Sequence, residues 1–125
     1  MKFDRVLTVN AYRDGPRRGV AELDGVPHIY EAEFDDNGEG YGDTYFLTPI
    51  EPALLALVLE ERAARADPQA APGELAPAER ARREARARAI DDGLRTDPAH
   101  CRYFRGRFGE RQSGWWVQWL PLGLG

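Results

Sequence analysis

A run of oxygen-bearing side chains after residue 34 raises the possibility of cation chemistry. Asp35, Asn37, Glu39 and Asp43 occupy the first, third, fifth and ninth positions of a calcium-binding loop, with Gly40 at the sixth. The twelfth position, which needs a bidentate glutamate, is Phe46. The loop also follows a predicted strand and not a helix. The pattern therefore favours a solvated acidic hairpin loop, with a weak metal site at those four residues as the open alternative.

The same residues belong to a wider segregation of charge. No Lys or Arg stands between Gly19 and Glu61, and the flanks hold all 17 basic residues. Strand alternation and loop position narrow the candidate acidic patch to six carboxylates: Glu31, Glu33, Asp35, Asp36, Glu39 and Asp43.

This patch predicts a small non-enzymatic module that binds a partner protein with a basic surface, by analogy with immunity proteins and antitoxins. The opposing hypothesis is that Arg80–Arg88 balances the same carboxylates within the molecule. Attraction between oppositely charged regions of two copies would give a homodimer, a third arrangement that the sequence leaves open.

The sequence contains few candidate catalytic residues. Glu31 and Glu33 share an exposed strand face, whereas general acid–base work needs a carboxyl group in an apolar pocket. A small enzyme would need a pocket that converges on His28, Tyr30 or Tyr12. Other nucleophiles have no suitable setting, since His100 and Cys101 are adjacent on the chain and the sole serine, Ser113, lies in a polar turn. We expect no catalytic site and no cofactor.

Nucleic-acid binding is the alternative function. Aromatic and arginine side chains alternate along Tyr103–Phe108, as they do on surfaces that stack single-stranded bases. Tyr103, Arg105 and Arg107 would form that surface. The net charge of −4 counts against phosphate binding.

Composition places the chain among ordinary globular proteins. Its 125 residues predict one domain, with 42% hydrophobic and 30% charged residues. One cysteine, Cys101, excludes an internal disulfide, and no run approaches the length of a membrane span. The N-terminal residues carry no apolar signal core. We therefore expect a cytoplasmic protein with no membrane partner.

The periodicities predict an α+β fold that positions these residues. Residues 1–48 read as a four-strand antiparallel meander, with Asp24-Gly25 as its clearest hairpin turn. Residues 49–95 read as two helices joined by a proline-rich connector at 67–77. Residues 101–120 alternate again and predict a hairpin, followed by a tail at 121–125. Closure of the sheet is left open.

The N-terminal strands also carry a resemblance. Leu7–Pro16, Gly19–Ala21 and Gly25–Glu31, with the later Phe46–Ile50, resemble a group of small bacterial proteins. The resemblance covers about the first 50 residues and implies no activity, ligand or fold.

Overall fold

The computed structural model describes residues 3–13, 15–35, 40–66, 76–112 and 114–121. The chain forms two compact units, one of Met1–Ile50 with Arg95–Gly125 and the other of Glu51–Leu94. The first, here called the barrel unit, contains strands β1 Asp4–Tyr12, β2 Pro16–Leu23, β3 Val26–Asp35, β4 Gly40–Pro49, β5 Arg102–Arg111 and β6 Gly114–Pro121. The second, the helical unit, contains α1 Pro52–Ala66 and α2 Pro77–Gly93. A short 3₁₀ helix, Pro98–His100, precedes β5.

The antiparallel sheet predicted from the sequence is confirmed, and it closes. Each strand pairs with the next in chain order, and β6 returns to pair with β1. Closure removes the free edges that an open six-strand sheet would expose. The meander and the C-terminal hairpin are thus parts of one barrel.

The β2–β3 hairpin forms at the predicted two-residue turn. Asp24 and Gly25 both have positive φ, at 53° and 82°, as a type I′ turn requires. The turn fixes the register of the following ladder, in which Leu23 faces Val26 and Ala21 faces His28. This register directs Tyr30 and Ala32 inward and leaves Glu31 and Glu33 on the outer surface.

A cluster of aromatic side chains lies in the barrel interior, together with aliphatic ones. The side chains of Tyr30, Tyr45, Phe104 and Trp119 are buried. Neighbouring rings among these four and Phe108 have their centroids 5.1–6.4 Å apart. Edge-to-face and tilted packing of this kind adds to the free energy of burying the rings.

Two glycines make room for these rings. A Cβ at Gly106 would lie 2.7 Å from Trp119 and 2.9 Å from Tyr45. A Cβ at Gly19 would lie 2.2 Å from the Thr8 carbonyl oxygen and 2.8 Å from the Tyr30 hydroxyl. Neither position can accept a side chain without displacing its neighbours.

The ladder between β1 and β6 is short. It joins Asp4 to Val117 and Arg5 to Trp116, whereas β5 and β6 pair along eight positions. Along its β2 side, β1 carries three register shifts between Val6 and Tyr12. Such irregularities bend a strand and increase its twist, which a six-strand sheet needs in order to close.

The helical unit is an antiparallel pair. A Cβ at Gly93 would lie 2.9 Å from the Leu54 side chain, so the missing side chain allows the two helices to approach closely at this point. Further along the pair, Glu61 of α1 meets Arg86 of α2. Within the described residues, neither helix is long and apolar enough to cross a membrane.

Candidate functional site

The described members of the two sets of residues predicted from the sequence lie on β3, β4 and β5, three consecutive strands of the barrel. The register places Glu31 of β3 opposite Phe46 of β4, and Phe46 opposite Tyr103 of β5. We call this surface the β3–β5 outer face. It comprises Glu31, Glu33, Asp43, Phe46, Tyr103, Arg105 and Arg107.

The alternation predicted for β5 is confirmed. Phe104 is buried and Phe108 packs against the interior cluster, whereas Tyr103, Arg105 and Arg107 are exposed. Because one face of β5 packs in the barrel interior, the side chains of Tyr103, Arg105 and Arg107 form a row on the outer surface.

Tyr103 forms the apolar centre of the β3–β5 outer face. Its side chain is 54% exposed, although it lies on a regular strand. Its ring packs edge-on against that of Phe46, with 5.0 Å between centroids and 86° between planes. The contact holds a large amphipathic ring in place at the surface, where it can bind with little loss of conformational entropy.

One predicted acidic residue pairs with one predicted nucleic-acid residue. The Arg105 Nε lies 3.2 Å from Asp43 Oδ2, and both side chains are more than half exposed. The register between β3 and β4 explains this contact. From Ala32 to Phe34 the partner strand runs from Tyr45 to Tyr41, so β4 has two extra residues around Asp43. Such an irregularity changes the direction of the side chains next to it, and here the Asp43 carboxylate contacts Arg105 on β5.

Among the described carboxylates of the acidic patch, Glu31 has the most interactions. The Thr96 hydroxyl donates a hydrogen bond to Glu31 Oε1 at 2.8 Å, and Arg95 Nη1 lies 3.7 Å from Oε2. Its side chain is only 29% exposed. Glu33, by contrast, is exposed. Glu33 is therefore the carboxylate on β3 that is better placed to meet a partner.

The remaining members of the acidic patch fall outside the described residues. Asp36 and Glu39 are not described, nor is Asn37 of the proposed cation site, and neither is the side chain of Asp35, which belongs to β3. The proposed cation site depends on three of these positions and stays a prediction. Among the described residues, no group of three His, Cys, Asp or Glu side chains could hold a metal ion.

Tyr30, one of the candidate enzyme residues, and its neighbour Tyr45 both have structural partners. The Tyr30 hydroxyl donates to the Thr8 carbonyl at 2.9 Å, and the Tyr45 hydroxyl donates to the Pro16 carbonyl at 2.7 Å. Burial raises the pKa of Tyr30, with a further contribution from Tyr45. These hydroxyls stay protonated and act as hydrogen-bond donors that tie the barrel interior to its wall.

His28 and Tyr12 lie in different surroundings. His28 is buried, and its Nδ1 lies 2.7 Å from the Val26 carbonyl oxygen on the same strand. Tyr12 is 64% exposed and packs against Trp115, with ring centroids 6.2 Å apart. His28 therefore makes a local hydrogen bond and Tyr12 packs against a tryptophan, and the two contacts involve different neighbours.

The Cys101 region offers a weak nucleophile. Burial raises the pKa of the Cys101 thiol. Hydrogen bonds that involve Thr48 and Leu47 lower this pKa, and the negative charges of the nearby Glu31 and Asp97 raise it, so that it stays above its ordinary value. A thiol in this state is poorly ionised at neutral pH. His100 instead pairs with Asp97, at 2.8 Å between Nδ1 and Oδ2. That hydrogen bond, with one from the Ala99 amide, holds the pKa of Asp97 below its ordinary value.

Two arginines of α2, Arg83 and Arg86, pair with glutamates of α1. Arg86 Nε lies 2.7 Å from Glu61 Oε2 and its Nη1 lies 2.8 Å from Glu60 Oε1, while Arg83 Nε lies 3.5 Å from Glu61 Oε1. Arg65, one turn from Glu61 on α1, completes the group at 3.1 Å. We call Glu61, Arg65, Arg83 and Arg86 the Glu61 cluster.

The electrostatics of Glu61 reflect two opposing effects. Burial alone would raise its pKa, but hydrogen bonds from Arg86 and Arg65 and the charges of Arg86 and Arg83 outweigh it and leave the pKa lowered. The cluster had a sequence signal, because Leu57, Glu60, Glu61 and Ala64 follow helical spacing on α1 and Glu79, Arg82, Arg83 and Arg86 follow it on α2.

Comparisons with known proteins add no assignment: no family model, no curated protein and no solved structure matches the chain.

Proposed function

We propose that the protein is a small binding module that docks a partner protein with a basic surface onto its β3–β5 outer face. Tyr103 is the anchor, and Glu33 with the neighbouring carboxylates supplies the attraction. The observation that carries this proposal is the exposure of Tyr103, at 54%, on a strand whose opposite face is firmly buried. Aromatic residues that are held rigid and half exposed are typical of interface hot spots.

The charges around Tyr103 support a protein partner over a polyanion. Asp43 neutralises Arg105 at 3.2 Å, and Glu31 and Glu33 lie on the strand beyond Phe46. A phosphate backbone would have to displace Asp43 and approach these carboxylates. A basic protein surface meets both Glu33 and the tyrosine without that cost.

The partner can be captured by its proximity to Tyr103. A photo-crosslinking amino acid is placed at position 103 in the full-length protein, and the matched control places it at Val26, which has the same exposed fraction of 54%. We expect a discrete protein adduct in cells from position 103 and not from position 26. Adducts in equal yield from both positions, or from neither, would count against this surface.

The purified partner then allows the charge contribution to be measured. We expect its affinity to fall as salt rises from about 0.1 M to about 1 M, because ions screen the attraction. Glu33→Lys should weaken binding by about tenfold, whereas the matched reversal Glu84→Lys on the exposed surface of α2 should leave it within about twofold. Affinity that is unchanged across this salt range would exclude an electrostatic role for Glu33.

Binding of single-stranded nucleic acid is the alternative function. It is favoured by the exposed row of Tyr103, Arg105 and Arg107 on β5. In this case Arg105→Glu and Arg107→Glu should each weaken binding of a fluorescent oligonucleotide at low salt. No change in anisotropy of such oligonucleotides with the unmodified protein would remove this alternative.

A further inference from the structure

A second surface of the barrel unit lies on the outer side of β5, β6 and β1. Trp115 and Val117 of β6 pack with the interior cluster, so Trp116 between them faces outward. The register places Trp116 between Gly109 of β5 and Arg5 of β1. Because cross-strand partners share one face of a sheet, these three residues form a row. We call this surface the β5–β1 outer face. It comprises Phe3, Arg5, Arg107, Gly109, Arg111 and Trp116.

The arginines of this face have no acidic partner in the described part of the chain. Arg5, Arg107 and Arg111 are exposed, and none of the ion pairs between described residues includes them. The strand between them, β6, has no charged residue. Only Arg105, further along β5, is neutralised, by Asp43 of β4.

The two acids that are nearest in sequence belong to the opposite side of their strands. Asp4 pairs with Val117 of the interior cluster and is buried. Glu110 pairs with Trp115, which packs against the same cluster. Among the described residues, the charges that β5, β6 and β1 direct outward here are therefore positive, and they favour an anion.

A gap between two of the arginines leaves room for a flat group. Gly109 lies between Arg107 and Arg111 on the same face of β5, and no atom lies within 4 Å of its Cβ position. Trp116 is its partner on β6 and is partly buried. The glycine therefore leaves open space beside an aromatic ring, with a guanidinium group on either side along the strand.

A second ring lies at the same surface. The Arg111 Cζ is 5.3 Å from the centroid of the Phe3 ring, and Phe3 is 41% exposed. Single-stranded nucleic acids bind to such combinations, because bases stack on aromatic rings and on guanidinium planes while arginines contact the phosphates. An acidic protein segment would contact the arginines and would have no use for the rings. The surface thus fits a nucleic acid better than an acidic protein.

We propose that the β5–β1 outer face binds single-stranded nucleic acid, as an activity separate from the docking of a protein at Tyr103. One base enters the space over Gly109 and contacts Trp116, a second stacks on Phe3, and the three arginines contact the phosphates. A strand bound here does not displace Asp43 from Arg105, as it would on the row of Tyr103, Arg105 and Arg107.

Fluorescence anisotropy of labelled single strands tests the proposal in the full-length protein at low salt. The probes are oligothymidine and oligouridine of about 16 nucleotides, and oligoglutamate of the same length is the control for charge alone. We expect saturable binding of the oligonucleotides that weakens as salt rises, and binding of oligoglutamate that is weaker by about tenfold or more. Equal affinity for oligoglutamate would assign the face to acidic proteins, and no oligonucleotide binding would overturn the proposal.

Two matched pairs of variants test the contacts with bases. Gly109→Val fills the open space and should raise the oligonucleotide Kd by about tenfold, whereas Gly42→Val, at an equally open position on β4, should change it by less than about twofold. Phe3→Ala should also raise the Kd by about tenfold, and Leu59→Ala, which removes a side chain that is 39% exposed, should not.

The arginine variants separate this face from the row at Tyr103. Arg5→Gln and Arg111→Gln should each weaken binding and lower the slope of log Kd against log salt by about one. Arg105→Gln should leave both unchanged, because Asp43 already neutralises this side chain. All three side chains are exposed, so these variants remain informative even if Gly109→Val fails to fold, which circular dichroism reveals. Binding that is weakened by Arg105→Gln and unaffected by Arg5→Gln and Arg111→Gln would refute the assignment.

Discussion

In the barrel unit the strands enclose aromatic side chains that are almost fully buried, whereas in the helical unit ion pairs between charged side chains join one helix to the other. Tyr30 and Trp119 are buried among other rings, and their polar atoms reach backbone carbonyls at 2.9 and 3.0 Å. Glu61 is also buried, but it bonds to Arg65 and Arg86.

We expect the stability of the two units to depend differently on the pH and salt concentration of the solvent. Burial of apolar rings depends weakly on pH and salt, while a network of ion pairs depends on both. Substitutions in the barrel interior should therefore cost more free energy, and substitutions in the Glu61 cluster should change the pH dependence of stability.

The largest expected effect is the loss of an interior ring. Trp119→Ala removes packing against Tyr30, Tyr45, Phe104 and Phe108 and the hydrogen bond to the Glu22 carbonyl. We expect the free energy of unfolding to fall by about 4 kcal/mol. Denaturant unfolding followed by circular dichroism measures this. A loss below about 1 kcal/mol would mean that the interior is not close-packed around this ring.

A smaller effect is expected from adding one methyl group. Gly19→Ala would place a Cβ 2.2 Å from the Thr8 carbonyl oxygen, which also accepts the Tyr30 hydroxyl. We expect a loss of about 2–3 kcal/mol in the same unfolding assay. Gly109→Ala is the control, because no atom lies within 4 Å of its Cβ position. Equal stability of the two variants would contradict the close approach of β1 and β2.

The helical unit should lose less stability, and only over part of the pH range. Glu61→Gln removes the charge that binds Arg86 and Arg65, and we expect it to cost about 1.5 kcal/mol at neutral pH. Because the folded-state pKa of Glu61 is lowered, its contribution is complete above the unfolded pKa of about 4.3. It declines as pH falls through the lower folded-state value.

Amide hydrogen exchange in α1 and α2 at several pH values tests this dependence. The difference between the unmodified protein and Glu61→Gln should shrink below about pH 4. Glu60→Gln is the matched control, since its side chain is 62% exposed, and it should cost less than about 0.5 kcal/mol. A difference for Glu61→Gln that grows on acidification would contradict the proposed role of the cluster.

The smallest effect on stability is expected on the β3–β5 outer face. Arg105→Gln breaks an ion pair whose two side chains are 52% and 61% exposed. Such pairs contribute about 0–1 kcal/mol, so we expect a change of less than about 0.5 kcal/mol in the unfolding assay. A loss above about 1.5 kcal/mol would show that the Arg105–Asp43 contact has a structural role.

Local features of the barrel could be predicted from its sequence. The inward direction of Phe104 follows from the alternation of buried and exposed side chains along β5, and Asp24-Gly25 fixes a turn by its backbone preferences. Closure could not be predicted in this way. It depends on twist accumulated along six strands and on the pairing of Asp4 with Val117, which lie near opposite ends of the chain.

The same contrast applies to the candidate site. Alternation was sufficient to place Tyr103 and Arg105 on the outer surface. The pairing of Arg105 with Asp43 could not be predicted, because it depends on an irregularity in β4 and on the register of β4 with β5. Helical spacing places Arg83 and Arg86 on one face of α2, but their pairing with Glu61 depends on how α2 packs against α1, which spacing alone does not determine.

The role of Tyr103 in partner binding is tested most directly by the affinity of the crosslinked partner for two alanine variants. Tyr103→Ala removes the exposed ring, and Val26→Ala removes a side chain of equal exposed fraction on another part of the barrel. We expect Tyr103→Ala to raise the Kd by about 30-fold, the effect of losing a hot-spot residue worth about 2 kcal/mol. Val26→Ala should leave the Kd unchanged. A Kd for Tyr103→Ala within about twofold of the unmodified protein would contradict binding at the β3–β5 outer face.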